Sequence, residues 1–219
     1  MSARTPREFA QLPYAHRLVA FEGELDRDGD HELAHFDGDA FVEVEGGGSA
    51  FTSSAFSAVT FTGGRYRRAR FDDVWLHGAR VVGVDFAETA WMDAEFTACV
   101  LAGTEAFGAT MRRVVFHQCK FDSVNLRQTK LREVTFVDCL LRDVDLAGAT
   151  LTDVSFPGST LERARLDGAR MTRVDLREAG ALDIASGLEA LRGATINTTQ
   201  LLALAPALAH LLGLTVKDH

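Results

Sequence analysis

From Phe51 to Leu176 every fifth position is apolar, and all but one of these residues are large. An amphipathic helix repeats its apolar face at about 3.6 residues and a half-buried strand at about 2, so neither element explains a strict five. Two places before each large residue stands a small or β-branched one: Ala69, Val74, Ala79, Val84, Thr89, Ala94, Cys99 and onward to Val174, with no charge in that class between Ser49 and Val174. The other three positions are mostly polar, charged, Gly or Ala, and hold Arg67, Asp72, Glu88, Arg113, Glu133 and Asp153. Two inward and three outward positions describe one flat side of a coil with a turn at each corner. Ala106 alone is small at a central position, which makes Phe107 the candidate to lean inward in its place.

The cysteines set the number of sides. Cys99, Cys119 and Cys139 share the small-residue class at a spacing of twenty, and Phe96, Phe116, Phe136 and Phe156 share the large class at the same spacing. Four pentapeptides thus close one turn. Coils stacked at the inter-strand distance of about 4.8 Å place like residues on like.

The segments VDLAGATLTDVSF (144–156) and ARLDGARMTRVDL (164–176) resemble the pentapeptide-repeat family, whose motif is often written A(D/N)LXX. The resemblance covers well over half the chain, and the register runs for more than a hundred residues without insertion. It implies an all-β, right-handed quadrilateral β-helix, a pentapeptide-repeat solenoid, with a C-terminal α-helix. In-phase triplets at Ala34–Phe36 and again at Ala194–Ile196 divide the chain into an N-terminal cap segment (1–33), the solenoid (34–180), and a terminal coil with a C-terminal capping or dimerisation helix (181–219). Roughly eight coils give a rod of about 40 Å.

A solenoid needs caps, because both ends expose unpaired backbone and an apolar cross-section. At the N-terminus the first thirty-odd residues are read as supplying one, with TPREFAQL starting a short helix. At the C-terminus NTTQLLALAPALAHLLGL opens with Asn197 and Gln200 in capping-box spacing, and Pro206 is expected to kink the helix or begin a second one. Leu201, Leu204, Leu208, Leu211 and Leu212 form one stripe with no charge between Thr195 and Val216. That stripe is read as a homodimer interface, similar to the end-to-end pairing of fluoroquinolone-resistance members of the family.

Little in the chain suggests catalysis. There is no G-x-S-x-G and no phosphate-cradling glycine loop. Three thiols on one wall lack a fourth ligand converging from another side, so they read as core residues rather than a zinc site. His77 and His117 occupy outward positions two coils apart and read as surface residues. Asp26, Asp28 and Asp30 fall short of a calcium loop, since His31 stands where the turn needs Gly and Asp37 replaces the bidentate Glu. The expectation is a non-enzymatic protein with no cofactor and no metal.

Net charge of −8 and a pI of about 5.3 argue against direct attraction to nucleic acid or anionic membranes. No run reaches about 18 apolar residues, and three cysteines form no disulfide framework, so the reading is a cytoplasmic protein with reduced thiols. Arg65, Arg67, Arg68 and Arg70 are the marked basic cluster and the candidate partner patch; Asp93, Arg113 and Glu133 stack as a ladder of alternating sign. The family's best understood members bind DNA gyrase or topoisomerase IV as mimics of duplex DNA and protect them from quinolones. The resemblance therefore implies a type II topoisomerase as partner. Against this, residues 51–180 carry acidic and basic side chains in equal number, and the negative excess lies in the first fifty. A general protein-interaction scaffold is the alternative.

Overall fold

The computed structural model describes residues 5–217. Three of the four pentapeptides in a coil place their central residue in a short strand: Ala50–Thr52, Ala55–Ser57 and Thr60–Thr62 make three walls of one coil, and an isolated bridge at Arg65 pairs the fourth. Every wall pairs in parallel with the next coil at a spacing of twenty, Phe51 with Phe71, Phe56 with Leu76, Phe61 with Val81 and Arg65 with Asp85. The first two walls merge into a single sheet where Thr110–His117 and Lys130–Val137 run continuously around their corner. The result is a parallel β-solenoid of about eight turns with one C-terminal helix, as the repeat implies.

The corners show what the backbone ladder can impose. Among the described residues, every non-glycine with positive φ lies two places after a central residue, for example Ala58 (φ 52°), Arg113 (φ 52°) and Asp138 (φ 51°). The left-handed region costs an L-residue about 1–2 kcal/mol. The turn holds because its amide donates to the next coil, Ala58 N to the His77 carbonyl at 2.7 Å and Asp138 N to the Pro157 carbonyl at 2.9 Å.

Inside, the aromatic ladder runs as its spacing requires. Phe96 stacks on Phe116 with ring centroids 4.6 Å apart, Phe116 on Phe136 at 5.0 Å and Phe136 on Phe156 at 5.0 Å. The small-residue rows pack beside the ladders, and their polar members bond backbone. The Thr89 hydroxyl donates to the Phe86 carbonyl (2.8 Å) and accepts from the Trp91 indole (3.0 Å), and the Ser159 hydroxyl donates to the Phe136 carbonyl (2.8 Å). Phe107 does not lean inward: it is 38% exposed, and Ala106 stays buried at the centre. Pairing of Glu105 with Asn125 and the bond from Ala106 N to the Asn125 carbonyl (2.8 Å) fix the register, and a one-residue slip would turn that wall inside out. The core answers with a cavity of about 30 Å³ lined by Phe86, Trp91, Leu101, Ala106, Phe121 and Leu126 among others.

Coil pairing runs past both limits of the 34–180 span. It begins with Val19 on Ala34 and Asp30 on Ala50. Phe21 lies against Phe36 (4.5 Å) and His31 stacks on Phe51 (5.0 Å), so residues 19–33 close that end of the core. At the other end Thr160 pairs with Ala181, one residue beyond the regular step, and the step of twenty returns where Val174 pairs with Ala194.

The C-terminal helix, Thr198–Leu211, starts with the expected reciprocal capping box between Asn197 and Gln200. The Gln200 amide also donates to the carbonyls of Leu176 (2.7 Å) and Ala179 (3.0 Å), which ties the helix to the last coil. Pro206 lies within one continuous helix rather than starting a second, and its exposed position leaves the freed carbonyl to solvent. TPREFAQL forms no end cap. Residues 5–18 run along the outside of the second wall with two 3₁₀ turns, Phe9–Gln11 and Ala15–Arg17.

Two substitutions test the core. Cys119→Arg places a charge in a closed row and is expected to abolish the β circular dichroism signal. Ala106→Val fills the cavity and is expected to raise stability by about 0.5–1 kcal/mol in thermal or denaturant melts; a loss of stability would show that the core has no spare volume there.

Candidate functional site

A solenoid presents its walls, and part of the charge on these walls is paired between coils. Arg113 grips Asp93 through two bonds of 2.6 and 2.5 Å, Arg173 grips Asp153 at 2.5 and 2.7 Å, Arg142 meets Glu162 at 2.9 Å, and Arg163 pairs with Asp143. Each pair is twenty residues apart, one coil step. The guanidinium bonds hold the Asp93 and Asp153 carboxyls below the usual carboxylate range. The expected ladder of Asp93, Arg113 and Glu133 forms only its first rung, because Glu133 turns to Arg132 at 3.2 Å within its own coil.

The arginine cluster is likewise partly spent. Arg65 reaches Glu45 (3.3 Å), which also holds Arg27, and Arg67 reaches Asp85 (2.6 Å). Arg68 and Arg70 are exposed and make no ion pair among the described residues. The cluster therefore presents two uncompensated cations rather than four.

The cysteines are free, buried core residues. Each thiol lies within bonding distance of two backbone carbonyls, Cys119 for example of Phe96 (3.6 Å) and His117 (3.3 Å). The neighbouring cysteines and burial push the Cys119 thiol far up, so it stays protonated. Among the described residues no group of three or more His, Cys, Asp or Glu side chains converges on a point that could hold a metal ion.

His117 contradicts its reading as a surface residue: it is 2% exposed. Its neighbours in the same outward row, Thr97 and Val137, are buried too. Burial penalises the cation and lowers the imidazole pKa, with Glu95 and Asp138 opposing the shift. His77, by contrast, is exposed and stacks on Trp75 at 5.4 Å.

A polar and aromatic constellation covers this second wall, where the sequence placed only His77 and His117, as surface residues. Arg7 donates to both oxygens of Glu95, from its backbone amide at 2.6 Å and from Nε at 2.7 Å. The Trp75 indole donates to the Arg7 carbonyl (3.2 Å), and Phe9 packs between His35 (4.7 Å) and Trp75 (5.9 Å). Farther along, Leu12 and Tyr14 bury themselves against Ala55 and Trp75, and the Tyr14 hydroxyl donates to the Ser54 carbonyl at 3.4 Å. A signal existed: Trp75 and Glu95 occupy an outward row whose other members include Ala55, Val115, Thr135 and Ser155.

The stripe assigned to the C-terminal helix divides in two. Leu204 is buried against the solenoid end and Leu208 is half-buried, so both serve the intramolecular cap. Leu201, Leu211 and Leu212 are exposed, and Leu202, Leu214 and Val216 are exposed with them.

The family model for the pentapeptide repeat region matches residues 89–166 and 109–181. Those residues belong to the pentapeptide-repeat family, and with the same coil geometry on both sides of them the chain is a pentapeptide-repeat solenoid. No curated protein matches the sequence. Among solved structures it is similar to trypsin-treated QnrB1, a plasmid-mediated fluoroquinolone resistance protein, at 17% identity over 87% of this chain and 100% of that one, with a TM-score of 0.28. It is also similar to Rfr23 from the cyanobacterium Cyanothece 51142 (16% identity, 48% of this chain and 62% of that one, TM-score 0.29). A third is HetL from Nostoc sp. strain PCC 7120, involved in heterocyst differentiation regulation (16% identity, 78% and 90%, TM-score 0.23).

The buried imidazoles give stability a pH dependence. The unfolded chain takes up a proton at His117 near the ordinary value of about 6.5, while the folded state resists it, so stability falls as pH drops from 7 to 5. His31, also lowered by burial, acts with the same sign. His117→Gln is expected to flatten the dependence of the unfolding midpoint on pH over that range; an unchanged slope would place the proton uptake elsewhere.

Proposed function

We propose that this chain is a non-enzymatic, cytoplasmic protein-binding rod that pairs with a second copy through its C-terminal helix. One observation carries the reading: an uncharged C-terminal segment that exposes Leu201, Leu202, Leu211, Leu212, Leu214 and Val216, while Leu204, Leu208 and Gln200 face the solenoid end. Exposed large apolar side chains in this number mark association sites, and a closed two-fold pairing is the simplest that buries them. The walls present extended rows of charged side chains, some paired between coils such as Arg113 with Asp93 and Arg173 with Asp153, which fits a binding surface rather than a reactive centre.

The finer reading, a mimic of duplex DNA that binds DNA gyrase or another type II topoisomerase, has a specific basis at one end only. Glu22, Glu24, Asp26, Glu32, Asp37 and Glu43 are exposed around the first coils, where the negative excess lies. A competitor of DNA needs uncompensated carboxylates on the surface that enters the enzyme. Along the rod the exposed carboxylates without an ion pair among the described residues, such as Glu88, Asp122, Asp138 and Glu178, are interspersed with equally free cations such as Arg112, Lys120, Lys130 and Arg170, which makes the general scaffold the stronger of the two.

Light scattering tests the pairing: Leu212→Asp is expected to halve the particle mass with the β circular dichroism unchanged, and a wild-type monomer would refute the interface. Gyrase supercoiling of relaxed plasmid, with and without a fluoroquinolone, tests the topoisomerase reading. Inhibition or protection that is lost when Asp37 and Glu43 are changed to Asn and Gln would support it, and no effect at micromolar protein would leave the scaffold.

A further inference from the structure

The strap of residues 5–18 is attached to the second wall in an unusual way. It adds no β pairing to the solenoid, and its own backbone bonds are local, such as Gln11 N to Glu8 and Arg17 N to Tyr14. Its polar attachments are the Arg7 bonds to Glu95, the Trp75 indole on the Arg7 carbonyl, and the Tyr14 hydroxyl on Ser54. Its apolar side chains join Ala55 and Trp75 in a small cluster separate from the continuous core, which is closed by Phe36, Phe56, Leu76 and Phe96 beneath it. The strap can therefore leave without opening the core.

The wall it covers is poorly suited to water. Trp75 is 4% exposed and Glu95 is 8% exposed with the strap in place. A carboxylate so enclosed costs several kcal/mol unless a cation meets it, and here the cation is Arg7. The wall thus sets a chemical requirement: a guanidinium for Glu95, an aromatic ring between His35 and Trp75, and apolar groups for the Ala55 side of Trp75. Within the strap these are Arg7, Phe9, Leu12 and Tyr14.

We propose that the second wall is a docking groove for an extended peptide segment of a partner protein carrying arginine followed two residues later by an aromatic ring, and that residues 5–18 occupy it as an internal competitor. The proposal deepens the protein-binding reading by naming a surface and its ligand chemistry. It differs from the helix pairing in location, so the two stand or fall separately. Binding by the partner removes the strap, replaces the Arg7 bonds with equivalent ones and keeps Trp75 covered. An occupant without a cation would leave Glu95 enclosed and unpaired, which gives the groove its selectivity.

The test uses the full chain with Arg7→Glu and Phe9→Ala together, which repels the strap from Glu95 and removes its ring. A fluorescein-labelled peptide of residues 5–18, TPREFAQLPYAHRL, serves as probe in fluorescence anisotropy. The double variant is expected to keep its β circular dichroism and bind the peptide about tenfold or more tighter than wild type, whose own strap competes. Adding Glu95→Gln, or using a peptide with Glu in place of Arg7, is expected to weaken binding about tenfold. Equal binding by wild type, no binding by a folded double variant, or insensitivity to Glu95→Gln would each overturn the proposal. Loss of the β signal in the double variant would overturn it too, since the core is required to stand without the strap.

Discussion

The backbone ladder between coils, in which amides donate to carbonyls of the preceding coil at some positions and of the next coil at others, is the interaction on which the rest of this molecule depends. It fixes a step of twenty residues, and that step dictates what neighbours what. Phe116 meets Phe96 and Phe136 because of it, and Cys119 lies between Cys99 and Cys139 for the same reason. It also explains why Asp, Glu, Arg and Gln residues sit in the left-handed region at the corners. The cost at each corner is offset by amides that would otherwise be unpaired against a closed core.

The same step organises the surface. Side chains twenty residues apart stand side by side, so a carboxylate and a guanidinium at that spacing pair without choosing unusual rotamers. Arg113 with Asp93, Arg163 with Asp143 and Arg173 with Asp153 are all of this form. Such pairs are exposed and add little to folding, but they remove free charge from the walls. Free charge stays on the walls at Arg68, Arg70 and other exposed side chains, while three places depart from the regular wall: the acidic first coils, the strap-covered second wall and the leucine-rich C-terminal helix.

Much of this was legible in the sequence, because a rigid period leaves a rigid signature. The four walls, the stacked phenylalanines and cysteines and the Asn197–Gln200 cap follow from spacing alone. What escaped shares a physical reason. A period tells which way a side chain points and says nothing of what lies over it. His117 points outward as its position requires and is buried nonetheless. Trp75 and Glu95 stand in an outward row, and their function as anchors appears only once Arg7, some seventy to ninety residues distant in the chain, is seen on top of them. Leu204 and Leu212 share a sequence stripe, but Leu204 is turned onto the last coil and Leu212 is left open. Phe107 failed for the opposite reason: the ladder held its register and the core accepted a cavity rather than a slip.

The measurement closest to the central claim removes one whole turn. Deleting residues 110–129 joins Ala109 to Lys130 in the same phase, so every wall, corner and ladder should close again around a shorter rod. The account predicts a folded protein with the same β circular dichroism shape and a single cooperative melt, whereas deleting two residues fewer, 110–127, should abolish it. A twenty-residue deletion that unfolds the chain, or an eighteen-residue deletion tolerated equally well, would contradict the coil of four pentapeptides.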